Sequence, residues 1–204
     1  MASGDPRTIT KRNVLAVEGE DERNFFDALL RHMGILDVQI EPVGGKDRFK
    51  DKFPALLRMQ GFHTIKYLAV VRDRDDDHAF ESIANIVRAS RLTPPPSHGQ
   101  FSDGAPRVGV FIMPGGDAEG TMLEDLCLET VKDHPAMNCV RPFAECIQGL
   151  PCPPRNPSKA SCQAFLAAQA EMANTVGVGA QKGYWNLDSP ALDELRAFLS
   201  QMRW

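Results

Sequence analysis

The chain is poor in aromatic residues, short of positive charge and free of long apolar runs. Aromatic residues make up 7% of its 204 positions, with two tryptophans and two tyrosines. Lysine and arginine number 23 against 27 aspartates and glutamates, which gives a net charge of −4 and a pI near 5.7. A large basic footprint for non-specific nucleic-acid binding is therefore missing, although divalent metals could supply positive charge locally. No apolar stretch approaches the roughly 20 residues of a spanning helix, so no membrane association is expected. The opening "MASGDPRTITKRN" has no apolar core of a secretory signal, and a cytoplasmic location is expected. The five cysteines (Cys127, Cys139, Cys146, Cys152 and Cys162) are odd in number and contain no C-x-x-C pair. That favours reduced, mostly buried thiols over a zinc site. The loose grouping of Cys139, Cys146 and Cys152 with His134 fits no ligand spacing.

What the chain does have is alternation. "NVLAVEG" reads as a short apolar strand buried on both faces. "DERNFFDALLRHM", Asp21 to Met33, has an apolar face at helical spacing, with Gly34 as its C-cap. "VQIEPVGG" reads as a second strand and "KDRFKDKFPALLRMQ" as a helix that Pro54 breaks or kinks. "TIKYLAVVRD" is β-branched and apolar, "HAFESIANIVRASRL" helical, "RVGVFIMP" a fourth strand and "GTMLEDLCLETVKD" a helix. Strand and helix alternating in this way predict an α/β fold, a parallel sheet of about four strands flanked by helices. Residues 12–132 are expected to form this domain. Residues 133–204 are expected to form a mostly helical extension packed on it, through "PAMNCVRPFAECIQGL", "SKASCQAFLAAQAEMAN" and "PALDELRAFLSQM".

The acids concentrate where the strands end. The first strand stops at Glu18, the third at Asp73 with Asp75, Asp76 and Asp77 behind it, and Asp117, Glu119, Glu124 and Asp125 follow the fourth. Ligands of open α/β sheets bind outside the carboxyl ends of the strands. Hard divalent cations take a few carboxylates together with waters and phosphates. Asp73 and Asp75 are two apart, so in an extended backbone they point the same way. Glu22 lies four residues after Glu18 and can face back toward it. A plainer reading stands beside this one. Acids in a first helical turn suit the helix dipole, which covers Asp21 and Glu22, and "DRDDD" can be a solvated turn.

Taken together, "LAVEG" and the later "AVVRDRD" resemble the Toprim domain shared by topoisomerases, primases and overcoming-lysogenization-defect (OLD) nucleases. More narrowly, "VEGEDERNFFDALL", "EPVGGKDRF", "GVFIMPGGDAEGTMLEDL" and the tail resemble a bacterial group of small stand-alone Toprim-like proteins, DUF3226. The resemblance implies a Toprim-like (Rossmann-like) sheet and a site for Mg²⁺ or Mn²⁺. It implies Glu18, Asp73 and Asp75 as the catalytic, metal-holding residues. Glu22 matches the extra acid of the OLD pattern, Glu124 its late acid, and Lys159 a phosphate-contacting lysine. In departure from the larger enzymes, no fused ATPase, DNA-binding or topoisomerase domain is expected. Tyr67 falls in a core strand and Tyr184 in the tail, so neither is placed for covalent strand cleavage.

Other residues carry two readings. Gly44 and Gly45 before Lys46 could place backbone N–H groups and a cation near a phosphate, or form a plain turn. Gly115 and Gly116 raise the same pair. Arg72 and Arg74 could neutralise the acids or grip a substrate phosphate. His78 stands beside the acids. Tyr184 and Trp185 could stack on bases or pack in the core. The function expected is a Mg²⁺- or Mn²⁺-dependent nuclease or phosphoryl-transfer protein acting on nucleic acid, with Lys46, Arg74 and Lys159 on the phosphate. The alternative is a non-catalytic module binding nucleic acid or a partner, beside a separate ATPase; an oligomer stays open. A dehalogenase-like phosphatase ranks below both, because its Asp-x-Asp belongs on the first strand.

Overall fold

A computed structural model describes residues 8–74, 77–115 and 119–202, without the side chains of Lys46 and Asp47. The expectations placed on Asp75, Asp76, Gly116 and Asp117, and on the Lys46 side chain, lie outside the described residues. The elements run β1 (Asn13–Val17), α1 (Glu20–His32), β2 (Val38–Pro42), α2 (Lys46–Leu57), β3 (Tyr67–Asp73), α3 (Ala79–Ala89) and β4 (Arg107–Met113). They continue as α4 (Leu123–Thr130), α5 (Met137–Gln148), α6 (Pro157–Ala167), α7 (Val176–Gln181) and α8 (Asp193–Ser200).

The four strands form one parallel sheet in the order β2-β1-β3-β4. This is the expected α/β architecture. Successive residues of each strand point to opposite faces, and both faces are covered. Leu15, Val17, Ala69, Val71, Phe111 and Met113 join a core with α1 and the helices from α4 onward. Val14, Ala16, Leu68, Val70, Val110 and Ile112 join a second core with α2 and α3. The continuous apolar runs of β1 and β3 are thus the mark of a sheet buried on both sides. From β1 the chain crosses to β2 on one side and returns to β3 on the other. That reversal opens a crevice between the carboxyl ends of β1 and β3.

Local signals account for most boundaries. After α1, Gly34 adopts a left-handed conformation (φ 69°). Its N–H bonds to Arg31 O (3.0 Å) and that of Ile35 to Leu30 O (2.8 Å), which closes the helix end in a Schellman motif. Pro54 does not break α2, which runs through it. The carbonyl that loses its donor belongs to exposed Lys50, where water can take its place.

The tail holds one helix that periodicity does not reveal, α7, whose sequence is VGVGAQ. Its glycines lower helix propensity but permit close packing. A Cβ at Gly177 would lie 2.3 Å from the Asp21 carbonyl oxygen, and one at Gly179 would lie 2.7 Å from Leu166 Cδ2. Trp185 is buried, stacks on Phe165 at 5.0 Å and donates to Val176 O (2.8 Å), so it packs the core rather than facing solvent. Cys127 and Cys162 are buried, whereas Cys139, Cys146 and Cys152 are exposed. The expectation of mostly buried thiols is therefore corrected. Two of these three lie on α5, which buries Met137 and Val140 and turns its cysteines outward.

Gly177→Ala should push α7 off α1, because the obstruction is backbone and cannot rotate away. Overpacking of this kind costs about 1–3 kcal/mol, and each kcal/mol lowers Tm by about 2–4 °C at this size. In thermal denaturation Gly177→Ala should melt several degrees below wild type. Gly149→Ala, whose added Cβ would meet the Cys146 carbonyl oxygen at an ordinary 3.5 Å, should melt close to it.

Candidate metal centre at the carboxyl edge of the sheet

The crevice between β1 and β3 collects carboxylates from four elements. Glu18 follows the last residue of β1. Its Oε1 accepts from Arg72 Nε at 3.0 Å and makes a longer contact, 3.4 Å, with the Asp73 N–H. The Arg72 guanidinium is buried and lies 5.2 Å from the centroid of Phe49, which holds it in place under the pair. The turn from β2 into α2 closes against the other side of Glu18. A Cβ on Gly45 would sit 2.9 Å from Glu18 Oε2, and Gly44 takes a left-handed φ of 83°. These glycines are therefore needed for close approach and for the turn.

Asp73 ends β3, and its Oδ1 accepts from the N–H of Leu123 at the start of α4 (3.1 Å). Its carboxyl is pushed up to about 8, chiefly by burial and then by the charges of Glu18, Glu124 and Glu22. Glu22 is also raised, first by burial and then, among the charges, by Glu18 and Asp21. Glu124, in the first turn of α4, is 16% exposed and stands 3.6 Å from Lys159 Nζ. Lys159, in the first turn of α6, donates its own N–H to the Asn156 cap. Glu18, Glu22, Asp73 and Glu124 are thus close enough to feel one another.

The remaining acids do other work. Glu20 is exposed and pairs with Arg23 at 3.0 Å. Asp21, expected as a solvated charge, instead accepts from the N–H groups of Val176 (3.2 Å) and Gly177 (2.7 Å) and so holds α7. Asp125 accepts from the N–H groups of Thr121 (2.8 Å) and Met122 (3.2 Å) and from the Ser158 hydroxyl. Sequence carries no signal for the role of Asp21, whose partners lie more than 150 residues away, whereas Asp125 at the third position of α4 caps its own helix start, a local pattern joined by the distant Ser158.

Arg74 donates from its guanidinium to the Gly115 carbonyl, and its N–H bonds to Thr121 O (2.7 Å). It ties down the segment after β4. His78 precedes α3 and is exposed. His134 packs edge-on against Phe165 at 5.3 Å. A pair not foreseen is His98, whose Nε2 lies 2.9 Å from Glu194 Oε1 while its Nδ1 accepts from the Ile112 N–H (3.0 Å). Below the edge, Asp21, Glu124, Lys159 and Cys162 line a small cavity of about 90 Å³. Burial pushes the Cys162 thiol up, so it is not a thiolate.

Residues 12–203 match the family model described as "Protein of unknown function (DUF3226)". The chain belongs to the DUF3226 family. No curated protein matches the DUF3226 chain. Two solved structures resemble it. A hypothetical protein from Pyrococcus horikoshii OT3 is 13% identical, with a TM-score of 0.47, and the match covers 94% of the DUF3226 chain and 95% of the other. The C-terminal region of the OLD protein of Xanthomonas campestris pv. campestris is 18% identical, with a TM-score of 0.42, over 94% and 92% of the two chains.

The raised carboxyl of Asp73 has a thermodynamic consequence. Folded, the group keeps its proton up to about pH 8; the ordinary value is 3.8. The stability this proton carries is present below the ordinary value and is lost as pH rises through about 8. Asp73→Asn cannot ionise and can still accept from Leu123. In chelator-treated protein it should melt close to wild type near the ordinary aspartate pKa and well above it once pH passes about 8. Parallel Tm-against-pH curves for the two proteins would remove the assignment.

Proposed function

We propose that the protein is a Toprim-type phosphodiester hydrolase acting on nucleic acid with Mg²⁺ or Mn²⁺. The observation that carries this reading is Asp73, a carboxyl burdened by three other carboxylates in the crevice where the strand order reverses. A buried group in that setting must hold either a proton or a cation. Among the described residues, no three of His, Cys, Asp and Glu stand together as ready ligands. The donors fit by chemistry: they are all carboxylate oxygens, the set that hard divalent ions prefer. Glu18, Asp73 and Asp75 would hold one ion, and Glu22 and Glu124 would complete a second position. Such ions, when bound, activate water and stabilise the leaving oxygen of a phosphodiester.

The chain's own groups have definite tasks in this scheme. Asp73 releases its proton as the site fills. Arg72 fixes the Glu18 carboxylate through its Nε–H. Lys159 stands beside Glu124, where its ammonium can neutralise a phosphate oxygen. Arg74 borders the same edge, with its guanidinium on Gly115 O.

One observation favours a second reading. Glu18 and Glu124 each already face a cation of the same chain, Arg72 and Lys159. Acids neutralised internally suit a non-catalytic module that binds nucleic acid or a partner protein, such as a separate ATPase.

Calorimetry with Mn²⁺ separates the two, since the scaffold reading expects no binding. For the enzyme, apparent Mn²⁺ affinity should rise by up to about tenfold per pH unit below about pH 8, as the Asp73 proton is displaced. Asp73→Ala should abolish metal-dependent cleavage of DNA and RNA. Full activity in that variant would remove the site.

A further inference from the structure

Several described cations on this surface are paired within the chain, as in Arg23 with Glu20, Arg31 with Asp27 and Lys182 with Glu171. The outer face of α2 groups cations that are not. Arg48, Lys50 and Lys52 are exposed, and among the described residues none of the three forms an ion pair. Positions 46–57 hold four cations and two acids in a chain of net charge −4. The helix is anchored from the opposite side, where Phe49 and Phe53 are fully buried and stacked at 5.0 Å.

Arg48 and Lys52 are one turn apart and share a face. Their stems pack over the turn that leads into α2. A Cβ on Gly44 would lie 2.8 Å from Arg48 Cβ and 3.3 Å from Lys52 Cδ, while one on Gly45 would lie 2.9 Å from Glu18 Oε2. A single two-glycine turn therefore has the carboxylate edge on one side and two unpaired cations on the other. Residues at this spacing have Cβ atoms about 5–6 Å apart, and long flexible side chains can reach adjacent phosphates of one strand.

We propose that Arg48 and Lys52 form a docking ridge for the sugar–phosphate backbone of nucleic acid and lead it to the carboxylate edge. The inference rests on the proposed nucleic-acid function and adds the direction of approach, over α2. Charge complementarity selects the partner: the ridge is cationic on an otherwise acidic chain, and it carries no aromatic side chain on its exposed face to read bases.

The test is fluorescence anisotropy with a short labelled DNA duplex, in chelator and across a NaCl series, on the full chain. R48Q/K52Q should flatten the slope of log K against log salt by about 2, one for each lost phosphate contact. R48K/K52R should keep the wild-type slope. A wild-type slope in R48Q/K52Q overturns the ridge even if the protein cleaves DNA. A flattened slope supports the ridge even if Mn²⁺ binding and cleavage are both absent, in which case only the catalytic reading falls. Equal loss of binding to polyglutamate would overturn backbone recognition in favour of an acidic protein partner.

Discussion

Mutual repulsion among carboxylates at the end of the β1–β3 pair is the constraint around which the rest of the molecule is arranged. Glu18, Glu22, Asp73 and Glu124 come from separate elements and would move apart if free. The fold prevents it in several ways. The parallel register places β1 and β3 side by side, and Arg72, buried against Phe49, neutralises Glu18. The Leu123 N–H binds Asp73 and fastens α4 to the end of β3. Burial chiefly, with the remaining repulsion behind it, displaces the Asp73 and Glu22 carboxyls upward. Charge placed against its own preference and held there by surrounding structure is common where a site needs a particular protonation state.

The sheet was legible in the sequence because a parallel sheet covered on both faces requires unbroken apolar strands, and "NVLAV", "YLAVV" and "VGVFIM" have that form. Gly34 marked the end of α1 because a left-handed residue was needed there. The convergence of Glu18 and Asp73 followed from their places at strand ends. Arg72 could be read as charge compensation from position alone, and it contacts Glu18.

Less legible was anything decided by a partner far along the chain. Asp21 and Glu22 are adjacent acids in the same helical turn with similar propensities, yet one caps α7 more than 150 residues away and the other turns toward Asp73. Glu124 is likewise fixed by the distant Lys159, while its neighbour Asp125 closes the turn just before α4. α7 escaped periodicity because its glycines serve proximity to α1 and Trp185 at the expense of helix propensity. Local pattern records the cost of such residues and not the contact that repays it.

The first turn of α1 also has a bearing on how this chain can change over time. An added or deleted residue between Gly19 and Glu22 would rotate the following positions by about 100° around the helix axis. The acid that faces the crevice and the acid that holds α7 would then both lose their directions at once. Substitutions can sample this turn one side chain at a time, but its length is locked, and variation in length has to be accommodated in other connections.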